Sequence, residues 1–127
     1  MAADISEGET LTYSRAFTKA DVREFAELSK DTGYHHLVAG DDDRLMVHGL
    51  LTATLPTKIG GDLNYVARRM DFEFTKPVYT GEEIDCTVTA DRVEEADGRT
   101  ELDATCVCTN EDGEVVVRAE TEGVIFG

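Results

Sequence analysis

The spacing of large and small side chains along this chain changes twice. Between Glu9 and Phe17, the larger residues Leu11, Tyr13, Arg15 and Phe17 alternate with smaller polar ones, the period of a strand. Thr18 then opens a helix, and Asp21 three residues later supplies a weak form of the capping box. Val22, Phe25, Ala26 and Leu28 predict one apolar side for that helix, and Gly33 its end. Asp31 falls in the last turn. His36 lies just beyond, in a loop that continues through the acidic run Gly40 to Arg44.

From Leu45 to Leu63 the period disappears. Leu50, Leu51, Ala53, Leu55 and Ile59 make this stretch apolar nearly all round, with no charge from Gly49 to Thr57. Such a helix belongs inside a protein. Pro56 predicts a kink or a broken last turn, and Gly60-Gly61 the stop. Strand periods then return. Val66, Met70, Phe72 and Phe74 share one face of a first strand, and Ile84, Cys86, Val88 and Ala90 one face of a second. Turn signals at 96–98 and 111–113 set off two more strands, 99–109 and 114–126.

The order is strand, helix, loop, buried helix and four antiparallel strands. That is an α+β chain, read as a single domain over 1–127, with its sheet curled around the apolar helix. Such a sheet leaves edges, which predicts a homodimer or a higher even oligomer.

Composition narrows the partners. Twelve basic residues against 27 acidic ones give a net charge of −15, which repels nucleic acid and anionic membranes. Acid is spread along the chain, and four lysines stand against eight arginines. This pattern suits concentrated salt, where the Debye length shrinks to a few ångströms, and points to a halophilic source. The start lacks the basic and apolar regions of a signal peptide and no long apolar run follows, so a cytoplasmic protein is expected. The three cysteines are expected to be reduced and buried. Cys106 and Cys108 share a strand face, but a zinc site would need further ligands at matching spacing, and the sequence offers none.

Asp31 and His36 are the candidate chemistry. In so acidic a chain the pair proves little alone. Three pieces in order carry more: Asp31 with His36, then His48-Gly49, then the run Phe74, Pro77, Val78, Gly81. Together they resemble the MaoC-like, (R)-specific enoyl-CoA hydratase family, whose hallmark D-x-N-P-x-H precedes a His-Gly at the central helix. The resemblance runs over about residues 11–95. It implies the hot-dog fold, reversible hydration of trans-2-enoyl-CoA to the (R)-3-hydroxyacyl-CoA, and Asp31 and His36 as the catalytic pair. Gly33-Tyr34 replaces the family's Asn-Pro. Thr57 stands where the family often carries a serine near the pair, and so is expected as a supporting hydroxyl.

The residues support that chemistry in their own right. Asp31 and His36 could share one water and pass its proton. Gly49, at the start of a buried helix, offers a backbone N–H near the positive end of the helix dipole for a thioester oxygen becoming an enolate. A side chain at Gly49 would obstruct that approach, and His48 would steady the helix start. No cofactor is expected beyond the coenzyme A of the substrate. No metal is expected either: Asp31, His35 and His36 hold donors, but adjacent histidines tend to point apart. Arg68-Arg69 could meet coenzyme A phosphates, although so acidic a surface favours pairing with its own carboxylates. Two rivals stand beside the hydratase. A hot-dog thioesterase would place a carboxylate on the central helix, and none lies between His48 and Ile59. A non-catalytic acyl-CoA-binding member would have no use for the Asp and His.

Overall fold

The computed structural model describes residues 4–126. Its elements are β1 (Thr10–Ala16), α1 (Lys19–Ser29), α2 (Tyr34–Leu37), α3 (Gly49–Thr52), α4 (Thr54–Asp62), β2 (Tyr65–Phe74), β3 (Glu83–Ala96), β4 (Arg99–Thr109) and β5 (Val115–Phe126). The strands form one antiparallel sheet in the order β1-β3-β4-β5-β2. Leu51, Leu55 and Ile59 of the central helical stretch pack into one core with Ile84, Cys86, Cys106, Cys108 and Val117 of the sheet. The long strands turn where expected: Asp97 and Gly98 both have positive φ between β3 and β4, and Gly113 does so before β5.

Local chemistry sets the start of α1. The Thr18 N–H donates to Asp21 Oδ2 at 2.9 Å, and the Asp21 N–H donates to Thr18 Oγ1 at 3.0 Å. This is a complete capping box. The other end differs from expectation. The helix stops at Ser29, and Lys30 takes the left-handed conformation, φ 66°, with its N–H bonded to Ala26 O. Gly33 instead caps the one-turn helix α2, so His36 sits in a helix rather than a loop. Leu28 is 82% exposed and not part of the buried side.

The central helix is in two pieces. Pro56 has no N–H for the Thr52 carbonyl, and its ring presses on that carbonyl. The break falls at Ala53, which makes Pro56 the third residue of α4, where a missing N–H costs nothing. Gly60 and Gly61 do not stop the helix. It runs through both to Asp62; the Leu63 N–H bonds both glycine carbonyls, and Asn64 turns the chain at φ 58°. Leu50, expected inside, is 68% exposed.

β2 carries a bulge between Ala67 and Arg69 in its pairing with β5. An extra residue reverses which side chains face which way. Tyr65 and Ala67 before the bulge therefore share a face with Met70 and Phe72 after it, lining one cavity, while Val66 points to the other side. The expected single face of Val66, Met70, Phe72 and Phe74 is broken there. On β3, Ile84 and Cys86 are buried with Val88 packed against their core, and Ala90 is buried in a second cluster with Leu102 and Ile125, as their alternation predicts.

Candidate active site

Two chain crossings build the site. The segment from Leu45 to His48 is held against the strand-like run at Val78–Thr80: Val47 N–H donates to Val78 O at 2.8 Å, and Thr80 N–H donates to Leu45 O at 2.9 Å. Met46 N–H donates to His35 O at 3.0 Å, which ties α2 to the same segment. The two elements thereby deliver His36 and His48 to one spot.

His36 is buried, and its tautomer follows from its partner. Nδ1 lies 2.7 Å from the Met46 carbonyl oxygen, which can only accept, so Nδ1 bears the proton. The neutral ring then presents a bare Nε2, 3.7 Å from Asp31 Oδ2. Both atoms are acceptors, and the gap is beyond a direct hydrogen bond. A water donating one O–H to each would satisfy both. The Asp31 side chain is 57% exposed, so that water has access. Asp31 Oδ1 is held by the Gly33 N–H at 3.2 Å, which leaves Oδ2 free to face His36.

His48 is the residue whose role changes most. Its ring does not cap α3. Nε2 lies 3.0 Å from the backbone carbonyl of Asp31 and must donate to it. The ring stacks on His36, with centroids 3.7 Å apart and planes 16° from parallel, and meets the Phe25 ring edge-on at 4.9 Å. His48 therefore fixes both members of the pair at once, one through its backbone and one through its ring. Its Nδ1 is buried with no hydrogen-bond partner. The separation of 17 positions from Asp31 to His48 hid this contact from the sequence; His-Gly before an apolar run was the one available signal.

His36 and Gly49 line a common cleft of about 320 Å³, with Met46, Thr52, Phe74 and Pro77 among its walls. Gly49 opens α3, so its N–H has no intrahelical acceptor. A Cβ at Gly49 would stand 3.1 Å from the Phe74 ring, so the glycine keeps that wall close. Because α3 is a single turn, the aligned dipole behind this N–H is shorter than the sequence implied. Gly33 is crowded too: a Cβ there would lie 3.0 Å from His35 Cε1 and 3.4 Å from His36 Cδ2.

Thr57 is not brought to the pair. It lies on α4 against a separate, largely apolar cavity of about 260 Å³, and its hydroxyl donates to Thr54 O at 2.9 Å. His35 and His36 do not point apart; their rings sit 3.9 Å centroid to centroid. Even so, the donors that converge are those of Asp31, His36 and His48, with His35 outside the set. Arg68 pairs with Glu101 at 3.1 Å and Arg69 with Glu122 at 3.9 Å, so both are engaged by the sheet's own carboxylates.

A family model for the FAS1-like dehydratase domain region matches residues 1–119. The chain belongs to that family. Among solved structures, this FAS1-like dehydratase chain is similar to the (R)-hydratase from A. caviae involved in PHA biosynthesis, at 25% identity, TM-score 0.84 and 98% coverage of both chains. It is also similar to an unliganded R-hydratase from Pseudomonas aeruginosa, at 20% identity and TM-score 0.81, covering 97% of this chain and 83% of that one. A MaoC-like dehydratase from Rhodospirillum rubrum aligns at 18% identity and TM-score 0.77 over 97% and 94% of the two chains. No curated protein sequence matches. The fold is the hot-dog fold of these MaoC-like and (R)-hydratase proteins, as the resemblance implied. Among the described residues no helix is long and apolar enough to cross a membrane.

Proposed function

We propose that the protein is an (R)-specific enoyl-CoA hydratase, a hydro-lyase that adds water reversibly to trans-2-enoyl-CoA. One observation carries this reading: the Nε2 of His36 lies 3.7 Å from the Asp31 carboxylate, two acceptors that one water set to the side of the gap can bridge. The family match and the hydratase neighbours support it.

Water held between the two acceptors loses a proton to the pair as its oxygen bonds C3 of the substrate. The pair returns a proton to C2, so the elements of water are added across the double bond. Negative charge moves meanwhile onto the thioester oxygen, which the Gly49 N–H accommodates. His48 positions both groups. The apolar cavity between α4 and the sheet is a place for an acyl chain, and Thr57 is a wall of that cavity rather than a partner of the acid. The (R) product follows from the family resemblance. A thioesterase is disfavoured because the first carboxylate after His48, Asp62, is tied to Lys58 at 2.6 Å.

A cytoplasmic homodimer completes the proposal. Of the two edge strands, β1 exposes Thr10, Thr12 and Ser14, whereas β2 exposes the large apolar Val66, Met70 and Phe74 among the charged Arg68, Arg69, Asp71 and Glu73. We take β2, the edge with large exposed apolar side chains, as the pairing edge. The acidic composition fits a halophilic setting, so assays belong in molar potassium chloride. Loss of enoyl absorbance with chiral (R)-3-hydroxyacyl product supports the reading; intact enoyl-CoA across chain lengths overturns it.

A further inference from the structure

The sequence places two cysteines on one strand face; the fold adds the third. Cys86 of β3 is the cross-strand partner of Cys108 of β4, and Cys106 lies two residues along on the same face. Cys86 Sγ is 3.4 Å from Cys106 Sγ, and Cys106 Sγ is 3.8 Å from Cys108 Sγ. All three sulfurs lie within 4.8 Å of one another, unbridged and buried.

We infer that Cys86, Cys106 and Cys108 form a three-coordinate site for a soft monovalent metal ion, of the class of Cu⁺. Size is the first argument. With metal–sulfur bonds of about 2.3 Å, a trigonal site needs sulfurs about 4 Å apart. The sulfurs, at 3.4 and 3.8 Å from Cys106 and all within 4.8 Å of one another, need move only a few tenths of an ångström to reach it. Coordination number is the second. Structural zinc takes four ligands, and among the described residues no fourth His, Cys, Asp or Glu joins this group. Three sulfurs alone are soft ligands, the kind that select Cu⁺.

Proton balance follows from the ligands. The metal-binding form of cysteine is the thiolate, so each thiol that binds releases its proton as a metal–sulfur bond replaces the S–H, and nothing is oxidised. Cys106 also lines the apolar cavity beside α4, which gives the ion a route in.

The test titrates the whole reduced protein anaerobically with Cu⁺, supplied as its acetonitrile complex, against a chromophoric Cu⁺ chelator. One bound equivalent is expected, with X-ray absorption showing sulfur neighbours alone at about 2.3 Å. Cys106→Ser should weaken binding by more than the roughly 10–100-fold that loss of an outer partner costs. Should that variant fail to fold, Cys86→Ala removes a donor on the other strand and must weaken binding as well. His36→Ala should leave binding unchanged. Nitrogen in the metal shell, binding that survives both cysteine changes, absence of binding, or equal occupancy by Zn²⁺ would each overturn the assignment.

Discussion

The cleft at His36 and the cavity beside α4 are similar in size, about 320 and 260 Å³, and differ in character. The cleft is lined by the His35 and His36 rings and by Gly49, with Asp31 Oδ2 3.7 Å from His36 Nε2. The cavity is walled by Ile59, Leu63, Phe72, Val88 and Leu102, with hydroxyls at Thr57, Tyr65 and Thr121. Polar groups in the cleft are fixed by other polar groups: Met46 O holds His36, Gly33 N–H holds Asp31, and His48 holds both. Around the cavity the apolar walls are fixed by packing, and the Tyr65 hydroxyl is held by Leu102 O and Thr121 Oγ1. On the proposed reading, one hollow moves a proton and the other receives an uncharged chain.

Breaking the cleft should have the largest effect. Asp31→Asn and His36→Ala should each lower turnover by roughly 10²–10⁴-fold, and the double variant by little more than the worse single one. His35→Ala, outside the converging donors, should be mild. Steady-state kinetics on the four proteins checks this, and an essential His35 with a dispensable His36 would break the assignment. A smaller loss is expected from Gly49→Ala, whose Cβ must push the Phe74 ring out of a 3.1 Å contact. Turnover should fall while the melting temperature changes little. Altering the cavity should change selectivity instead. Ala104→Leu fills space between β4 and α4, so KM should rise for long acyl chains and hold for the shortest, measured over a chain-length series.

Much of this contrast was legible in the sequence, for local reasons. Thr18 and Asp21 are three residues apart, Asp97-Gly98 are adjacent, and β4 buries every second residue from Thr100 to Cys108. What escaped was non-local. Neither the Arg68 bulge, which turns Val66 away from Met70, nor the arrival of Cys86 beside Cys106 has a signal in its own stretch. His48 reaching back to the Asp31 carbonyl is of the same kind. Pro56 was read as a disturbance of the helix; the carbonyl it disturbs lies four residues earlier, which moved the break to Ala53.

Two further expectations concern the frame that holds both hollows. Self-repulsion among 27 carboxylates offset by 12 basic groups should be screened as salt rises. Melting temperature and dimer fraction should both climb from low to molar potassium chloride, with turnover following the dimer. A flat profile would remove the halophilic reading and leave the site untouched. The smallest effect is acid loss at the α1 cap. The Thr18 N–H holds the Asp21 carboxyl below its ordinary 3.8. A lowered folded pKa gives stability that is present above 3.8 and lost as pH falls through the lower value. Asp21→Asn should therefore flatten that part of the acid-stability curve, read by thermal melts against pH.

The most direct test of the central claim follows oxygen. Enoyl-CoA is incubated with the protein in molar potassium chloride made up in ¹⁸O-labelled water, and the products are read by mass spectrometry. Activation of water between Asp31 and His36 predicts label in the 3-hydroxyl of an intact acyl-CoA, and its loss in Asp31→Asn and His36→Ala. Label in the carboxylate of a released acid, with the double bond untouched, would contradict the account.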